Sequence, residues 1–143
     1  MFVEEKLYSD IIKLVPILCV DLSIVCDSKF LLVKRNQSPL KDEWWVPGGR
    51  ILIGESSHDA AIRKLDEELK ISSFDKISVL GIYEDLFEES SLGKHLYHTI
   101  SVVYEFKIDN IKNIELDKTS KEWGLFDNLP DRLTKNLTIE AKK

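Results

Sequence analysis

Apolar residues in this chain are grouped into short runs rich in Val, Ile, Leu and aromatic side chains, and polar turn-forming residues separate the runs. Runs of this kind predict β-strands. The predicted strands cover residues 17–25, 30–35, 76–87, 97–108 and 122–126, with a further short strand over residues 50–53. Gly81 interrupts the strand over 76–87, which we expect to pair with residues 97–108 as a hairpin around a turn-rich loop at 88–94.

Three other stretches carry apolar residues at helical spacing. The central one runs from about Glu55 to Leu69 without Pro or Gly, and Ser56 or Ser57 stands near its start. Its apolar face, which we predict to be buried, consists of His58, Ile62, Leu65 and Leu69. The flanking segments are residues 4–14, with Leu7, Ile11 and Leu14 on one side, and the tail after Pro130, with Leu133 and Leu137 at helical spacing. Strands with a central and a terminal helix predict an α+β fold.

The opposite face of the central helix carries two adjacent carboxylates, Glu67 and Glu68, close in sequence to the glycine pair Gly48 and Gly49. A glycine turn after Pro47 allows the backbone to approach a ligand closely. Carboxylate and carbonyl oxygens are the ligands that Mg²⁺ prefers. The alternative is a solvated helix face with Lys64–Glu68 and Arg63–Glu67 pairs.

The spacing of residues from Gly48 to Ile71 favours the metal site. The pattern G-x5-E-x7-R-E-U-x-E-E-x-G-U, with U aliphatic, is matched by Gly49, Glu55, Arg63, Leu65, Glu67, Glu68 and Ile71. Two positions depart from it, because Lys64 stands in place of Glu and Lys70 in place of Gly. So many fixed residue types at fixed spacing are unlikely by chance. The chain resembles a Nudix hydrolase.

The resemblance implies a single Nudix domain over residues 1–143, folded as an α/β/α sandwich with a mixed sheet and the central helix described above. It also implies Mg²⁺ as the cofactor, with Mn²⁺ as an alternative. The metal ligands would be the Gly49 carbonyl, Glu67 and Glu68, and the catalytic set would be Arg50, Glu67 and Glu68.

Lys64 leaves two interpretations open. Its ammonium could occupy the space between Glu67 and Glu68 and compete with the metal ion, which would explain a non-catalytic protein. It could instead point to solvent and leave room for one ion, and we expect this second case. Lys70 only removes a preferred helix-ending residue.

Beyond these residues, the segments FLLVKR and WWVPGGR and Asp21 within its strand resemble the GDP-mannose mannosyl hydrolase subfamily. In that subfamily water attacks the sugar anomeric carbon, and fewer metal ions suffice because the ion only needs to stabilise the leaving diphosphate. The resemblance implies that Arg35 and Arg50 contact the diphosphate, that Asp21 lies near the sugar, and that His98 belongs to the substrate-binding set.

The general base is not identified by the sequence. Thr119 and Ser120 stand where the subfamily carries Gln-His, and neither is a competent base at neutral pH. Asp85 stands where the subfamily has a second catalytic histidine. Four residues are therefore alternatives for the base: Glu84, Asp85, His98 and Glu122. His95 and His98 alone are weak evidence for zinc, and His58 is expected to be structural.

The composition of the chain limits which classes of partner are expected. The net charge of −5 argues against bulk binding to nucleic acid or to an anionic membrane. The chain contains no apolar run long enough for a transmembrane helix, and its acidic N-terminus does not resemble a signal peptide. Cys19, expected to be a buried strand residue, and Cys26 do not form a disulfide framework, so we expect a cytoplasmic protein.

These observations predict a Mg²⁺-dependent hydrolase that acts on a nucleoside diphosphate sugar resembling GDP-mannose and releases nucleoside diphosphate and sugar. The expected partner is this substrate, with a homodimer as an option. Two alternatives stay open, a generic nucleoside diphosphate pyrophosphatase and a non-catalytic nucleotide-binding module.

Overall fold

The computed structural model describes residues 3–111 and 113–139. Its elements in chain order are α1 (Glu5–Leu14), β1 (Ile17–Cys26), β2 (Lys29–Arg35), β3 (Trp44–Trp45), β4 (Gly48–Arg50), α2 (Ser57–Leu69), β5 (Lys76–Ser90), β6 (Gly93–Lys107), β7 (Ser120–Phe126), α3 (Asp131–Lys135) and β8 (Leu137–Thr138). The predicted α+β class is confirmed. Residues 1–2, 112 and 140–143 of the predicted domain lie outside the described residues.

The strands form one mixed sheet in the order β3-β2-β1-β6-β5-β8, with β4 paired to β1 and β7 paired to β2. Strands β1 and β6 are parallel, and the other pairs are antiparallel. The predicted hairpin of β5 and β6 is present, with a register shift between Val79 and Gly81. This bulge is the interruption that Gly81 indicated.

Side chains alternate between the two faces of the sheet, and helices contribute to the cores on both faces. Helix α2 packs Ala60, Ala61, Leu65 and Leu69 against Tyr104 and Phe106. Val103, which immediately precedes Tyr104 on β6, instead joins a second core with Tyr83 and with Leu133 of α3. The period-two alternation of β6 thus serves a helix on each face.

Three predicted boundaries are wrong. Residues 88–94 are mostly paired strand, because Glu89 lies opposite Lys94 and extends the hairpin to Ser90 and Gly93. The short strand is β4, which pairs with Cys19–Asp21, so residues 51–53 lie outside it. Leu137 belongs to β8, since α3 ends at Lys135.

The predicted helix faces also need correction. In α1 the residues Leu7 and Leu14 are 54% and 80% exposed, and Ile12 is the buried residue. In α2 the residue His58 is exposed, whereas Glu68, which we placed on the polar surface, is buried. Ser56 caps α2 by accepting a hydrogen bond from the Asp59 amide. No helix in the described parts of the chain is long and apolar enough to cross a membrane.

Candidate active site

Arg63 connects three separate parts of the box, which we define as residues 48–71. Its Nε and Nη2 donate to the two carboxylate oxygens of Glu55 at 2.7 and 2.9 Å. Its Nη1 lies 3.1 Å from Glu67, and Nη2 also donates to the Arg50 carbonyl at 3.0 Å. One guanidinium therefore ties α2 to the loop before it and to β4, a task that suits its planar set of donors.

Glu55 is a structural member of this network. The hydrogen bonds from Arg63 lower the pKa of its carboxyl to about 2, so it stays ionised. It also accepts a hydrogen bond from the Leu52 amide at 3.1 Å. The fixed spacing between Gly49, Glu55 and Arg63 in the sequence thus reflects a folded loop that is closed by an ion pair.

The glycine pair lies in a strand and not in the turn that we predicted. Gly48 pairs with Asp21 and Gly49 with Val20. A Cβ atom on Gly48 would lie 2.3 Å from the Val20 carbonyl oxygen, and one on Gly49 would lie 2.6 Å from Cε of Lys64. Glycine is needed at Gly48 because another backbone lies against it, and the space beside Gly49 is taken by a lysine side chain.

Glu68 lies beneath this strand with its side chain only 8% exposed. One carboxylate oxygen accepts a hydrogen bond from the Gly48 amide at 2.8 Å, and the other lies 3.3 Å from the Thr119 hydroxyl. Burial raises the pKa of Glu68 to about 7, against the opposing effects of Lys64 and the Gly48 amide. A buried carboxylate with such a pKa is suited to binding a cation.

Lys64 does not point to solvent, contrary to our expectation. Its side chain is 14% exposed, and its ammonium lies 3.3 Å from Glu67 and 4.0 Å from Glu68. The end of the side chain packs on Gly49. The ammonium therefore occupies the space between the two carboxylates, as in the first of the two interpretations.

The donor set fits one divalent ion. Within the described residues no cluster of three or more His, Cys, Asp or Glu side chains is arranged for a metal. Both oxygens of Glu67 already accept hydrogen bonds from Arg63. Glu68 and backbone carbonyl oxygens are the groups that could serve as protein ligands, and Mg²⁺ completes such a set with water and substrate phosphate.

Glu68 and the glycine pair line a cavity of about 270 Å³. Of the residues predicted from the sequence, five are brought together along its wall: Asp21, Arg35, Gly49, Arg50 and Glu68. Lys64 lines it as well. The cavity lining does not include Glu67 or His98; the latter lies on β6, with its Nε2 atom 2.6 Å from a Glu84 carboxylate oxygen.

Asp21 and Arg35 form the polar centre of the cavity wall. Burial raises the pKa of Asp21 to about 6, while Ser101 and Arg35 oppose the rise. Burial also lowers the pKa of Arg35, whose Nε donates to the Pro39 carbonyl at 2.6 Å. Arg35 still stays charged at neutral pH, because guanidinium groups do not deprotonate in proteins.

Arg50 lies over an aromatic ring at the wall. Its guanidinium carbon is 5.0 Å from the centre of the Tyr8 ring, a cation–π contact that holds the side chain beside the cavity. Helix α1 therefore contributes Tyr8 and the buried Ile12 to the cavity, although its more obvious apolar stripe is exposed. No pattern in the sequence indicated this role of α1.

The four alternatives for the base are paired elsewhere. Asp85 accepts hydrogen bonds from Arg132 at 2.6 and 2.7 Å and from Tyr83. Glu84 pairs with His98, and Glu122 lies 3.7 Å from Lys34. None of the four is among the residues of the cavity wall. Asp21 and Glu68 are the acidic side chains that line it.

The far end of the cavity is formed by the tip of the β5–β6 hairpin, where the sequence indicated no site. Nδ1 of His95 lies 2.9 Å from the Leu96 carbonyl, so in the neutral ring Nδ1 carries the proton and Nε2 accepts. The Ser90 hydroxyl, 2.7 Å away, then donates to Nε2, and its oxygen accepts from the Leu92 amide. Ser90 lines the cavity with one acceptor position unused.

This chain is similar in sequence to known proteins. The model of the NUDIX domain matches residues 19–137. The chain is 32% identical over 126 residues to the low-salt glycan biosynthesis protein Agl8 of Haloferax volcanii, covering 87% of this chain and 80% of that protein. It is 35% identical over 118 residues to an ADP-ribose pyrophosphatase of Methanocaldococcus jannaschii, covering 80% of this chain and 65% of that protein.

Solved structures show the same fold. A MutT NUDIX hydrolase from Burkholderia pseudomallei superposes with a TM-score of 0.67 at 20% identity, over 87% of this chain and 99% of that one. The NUDIX domain of Shewanella oneidensis NrtR, solved with ADP ribose, gives a TM-score of 0.63 at 20% identity, over 87% and 83% of the two chains. From the matched residues, the box and the fold together, the chain belongs to the Nudix hydrolase family.

Proposed function

We propose that this hydrolase acts on a nucleoside diphosphate sugar resembling GDP-mannose, with Mg²⁺ or Mn²⁺ as the cofactor, and releases nucleoside diphosphate and sugar. One observation carries the proposal. The cavity wall combines three cationic side chains, Arg35, Arg50 and Lys64, with the backbone of β4 and the buried Glu68. Guanidinium groups match paired phosphate oxygens, so this wall suits a diphosphate.

The divalent ion would be held by Glu68 and the Gly49 carbonyl. Bound there, it would stabilise negative charge on the leaving diphosphate. Glu67, which we predicted as a third ligand and a catalytic residue, is shared by Arg63 and Lys64. In this proposal Glu67 orients those two cations, and it would contact the ion only after leaving Arg63.

Asp21 is the proton acceptor in this proposal. Of the two acidic side chains on the cavity wall, Glu68 faces the cation site, which leaves Asp21 for a water molecule. A pKa of about 6 suits a general base that works near neutral pH. Asp21 would remove a proton from water as the water oxygen attacks, and the diphosphate would leave with the electron pair of the broken bond.

The hairpin end supports a substrate that carries hydroxyl groups. The unused acceptor position on Ser90 can pair with an O–H or N–H donor but not with a phosphate oxygen. The cavity extends along the hairpin. Ser101 marks the part of β6 that lies opposite Cys19 on β1, and Ser90 lies farther along, toward the tip of the hairpin. A ligand with its diphosphate on the cationic wall would therefore place a sugar or nucleoside hydroxyl near Ser90.

The comparisons support a nucleotide-linked sugar and also favour one alternative. The Haloferax volcanii relative is named for glycan biosynthesis, which agrees with a sugar-linked substrate. The Methanocaldococcus jannaschii relative is named as an ADP-ribose pyrophosphatase. Attack at phosphorus, which releases nucleoside monophosphate and sugar phosphate, is therefore the second candidate.

Product analysis tests the proposal. The purified protein would be incubated with GDP-mannose, other GDP- and UDP-sugars and ADP-ribose, with and without Mg²⁺, and the products separated by anion-exchange chromatography. We expect GDP and free sugar. Nucleoside monophosphate with sugar phosphate would select the pyrophosphatase. Binding without turnover of any compound would contradict the proposal and favour a nucleotide-binding module.

A further inference from the structure

Lys64 reverses the charge at one position of the box, and its ammonium lies inside the active site. The Nudix pattern has a glutamate at this position, so the substitution changes the local charge by two units. Nζ is 3.3 Å from Glu67 and 4.0 Å from Glu68, and the side chain is 14% exposed. The cation is thus fixed at the place where two carboxylates would otherwise attract a metal ion.

The packing around Lys64 shows that this position is specific. A Cβ atom on Gly49 would lie 2.6 Å from Cε and 3.0 Å from Nζ of the lysine. The side chain therefore fills the space left by the missing Cβ of a glycine, directly against the strand that the diphosphate would approach. A lysine that only solvated the helix surface would not pack in this way.

The surrounding charges leave part of the ammonium unused. Arg63 already pairs with both Glu55 and Glu67, so Lys64 is not needed to neutralise Glu67. Within the described residues its one hydrogen bond is to Glu67. An ammonium has three donors, and Lys64 lines the cavity, so even with Glu67 bound and Glu68 4.0 Å away one N–H group is available to a ligand.

We infer that Lys64 is a built-in cation of the active site, which binds a diphosphate oxygen of the ligand in place of a second divalent ion. This inference rests on the proposed function, since it assumes that a diphosphate enters the cavity. It predicts that the protein binds a nucleoside diphosphate even when divalent metal is removed. A site that relied on a single divalent ion would not have this property.

The test is isothermal titration calorimetry with GDP in EDTA, repeated in Mg²⁺. We expect wild-type protein to bind GDP in EDTA. Lys64→Gln should weaken this binding by about tenfold or more, which is the effect of losing a charge-assisted contact. Lys64→Arg, which keeps the charge, should retain most of it. Lys64→Glu should bind GDP only when Mg²⁺ is present.

Lys70→Gln is the matched control, because it removes one exposed positive charge at the end of the same helix. It should leave GDP binding unchanged. Thermal unfolding of every variant shows whether it is folded. If Lys64→Gln does not fold, the comparison of Lys64→Arg with Lys64→Glu in EDTA takes its place, and equal affinities of those two would overturn the inference.

The inference and the proposed function fail in different ways. The inference is overturned if wild-type protein binds GDP in Mg²⁺ but not in EDTA. It is also overturned if Lys64→Gln binds GDP in EDTA with wild-type affinity. Neither result would contradict the proposed hydrolysis of nucleotide sugars. Conversely, Lys64-dependent binding in EDTA without hydrolysis of any nucleotide sugar supports the inference and removes the proposed function.

Discussion

The two ends of the cavity are built in different ways. At the box end, β4 and α2 bring together residues that lie within 24 positions of one another, from Gly48 to Ile71, and a dense set of ion pairs fixes them. At the hairpin end, the cavity is lined by the uncharged hydroxyl of Ser90, which is hydrogen-bonded to His95 at the tip of a two-stranded ribbon. The charged end suits a phosphate group, and the neutral end suits hydroxyl groups.

This comparison suggests that the box end serves the reaction, whereas the hairpin end serves the selection of the substrate. Under the proposed function, charge-assisted contacts at the box end would contribute most of the affinity and stabilise the leaving group. A single neutral hydrogen bond at the hairpin end contributes less but can distinguish one hydroxyl-bearing ligand from another. Substitutions at the box end should therefore affect turnover and stability strongly, and those at the hairpin end should affect substrate choice.

The largest effect is expected for Glu68→Gln at the box end. The amide keeps an acceptor for the Gly48 amide but lacks the charge that binds a cation. Turnover should fall by roughly 100-fold or more, the size of effect seen when a group that stabilises charge in a transition state is lost. Steady-state kinetics with a nucleotide sugar and Mg²⁺ provide the measurement.

Stability measurements on the same variant serve as its control. Because the folded pKa of Glu68, about 7, is above its ordinary value of 4.5, the native state binds more protons than the unfolded state between those pH values. The stability that this group contributes is present below pH 4.5 and is lost as the pH rises to about 7. Glu68→Gln should therefore be at least as stable as wild type at pH 8 in urea unfolding. Turnover within a few-fold of wild type would remove Glu68 from the cation site.

Asp21→Asn is expected to have the next largest effect, about 100-fold on kcat, as for loss of a general base. In wild type with Mg²⁺ present, kcat/KM should rise about tenfold per pH unit below about pH 6, because Asp21 must lose a proton to act as the base. In the variant this rise should be lost. Glu84→Gln, which removes an exposed carboxylate outside the cavity wall, is the control and should keep the wild-type profile. An unchanged slope in Asp21→Asn would assign the base to another group.

Much of the box end was predictable, because its spacing is local in sequence. Gly49, Glu55, Arg63 and Glu68 are positioned by one helix and the short loop before it, so a fixed pattern of residue types determines their contacts. The burial of Glu68 was not predictable, since the residues over it, Gly48 and Thr119, come from β4 and from a segment 51 positions later in the chain.

The hairpin end was not predictable for a related reason. Residues 88–94 have the composition of a loop, and the cross-strand pairing of Glu89 with Lys94 and of Ser90 with Gly93 shows that they continue the ribbon. Asp85 was one of the alternatives for the base, but it is paired with Arg132, which lies 47 positions away in the chain. Helical spacing around Leu7 indicated an apolar face, whereas the contact with the cavity uses Tyr8 and Ile12. Tertiary contacts of this kind have no local pattern.

Removing Arg63 from the box, and Arg132 from its pair with Asp85 outside the cavity wall, compares two ion pairs in stability. Arg63→Met leaves the partly buried Glu55 with only the Leu52 amide, and should lower the free energy of unfolding by roughly 2–3 kcal/mol after allowing for solvent exposure. Arg132→Met leaves Asp85 with hydrogen bonds from Tyr83 and the Leu86 amide, so a loss of about 1 kcal/mol is expected. Urea unfolding measures both. Equal losses would mean that the box network has no special structural role.

Ser90→Ala should have a small and selective effect. Loss of one neutral hydrogen bond should weaken binding of the preferred ligand about fivefold, measured by calorimetry. A deoxy-sugar analogue that lacks the contacted hydroxyl should bind wild type and variant equally. Ser91→Ala is the matched control, because Ser91 also lines the cavity but has no side-chain hydrogen bond within the described residues. Equal weakening for every analogue would show that Ser90 acts on the fold and not on selection.

The smallest effect is expected at Lys70, the second residue that departs from the box pattern. Lys70 ends α2 in the left-handed conformation, with φ of 57° and ψ of 35°. Its amide donates to the Asp66 carbonyl, and the Ile71 amide bonds to the Leu65 carbonyl at 3.4 Å, the arrangement in which glycine is preferred. Lysine there is strained by about 1–2 kcal/mol, part of which is offset because glycine has more freedom in the unfolded chain.

Lys70→Gly should therefore raise the free energy of unfolding by about 0.5 kcal/mol net, a shift of roughly 1–2 °C in Tm for a chain of this size. Lys70→Ala removes the same charge but keeps the left-handed strain, so it should show no gain. Turnover should be unchanged in both, because Lys70 is exposed and lies outside the cavity wall. The two departures from the box pattern would then have separate consequences, with Lys64 changing ligand binding and Lys70 changing only stability. If Lys70→Ala stabilised the fold as much as Lys70→Gly, the gain would come from the lost charge and not from the backbone.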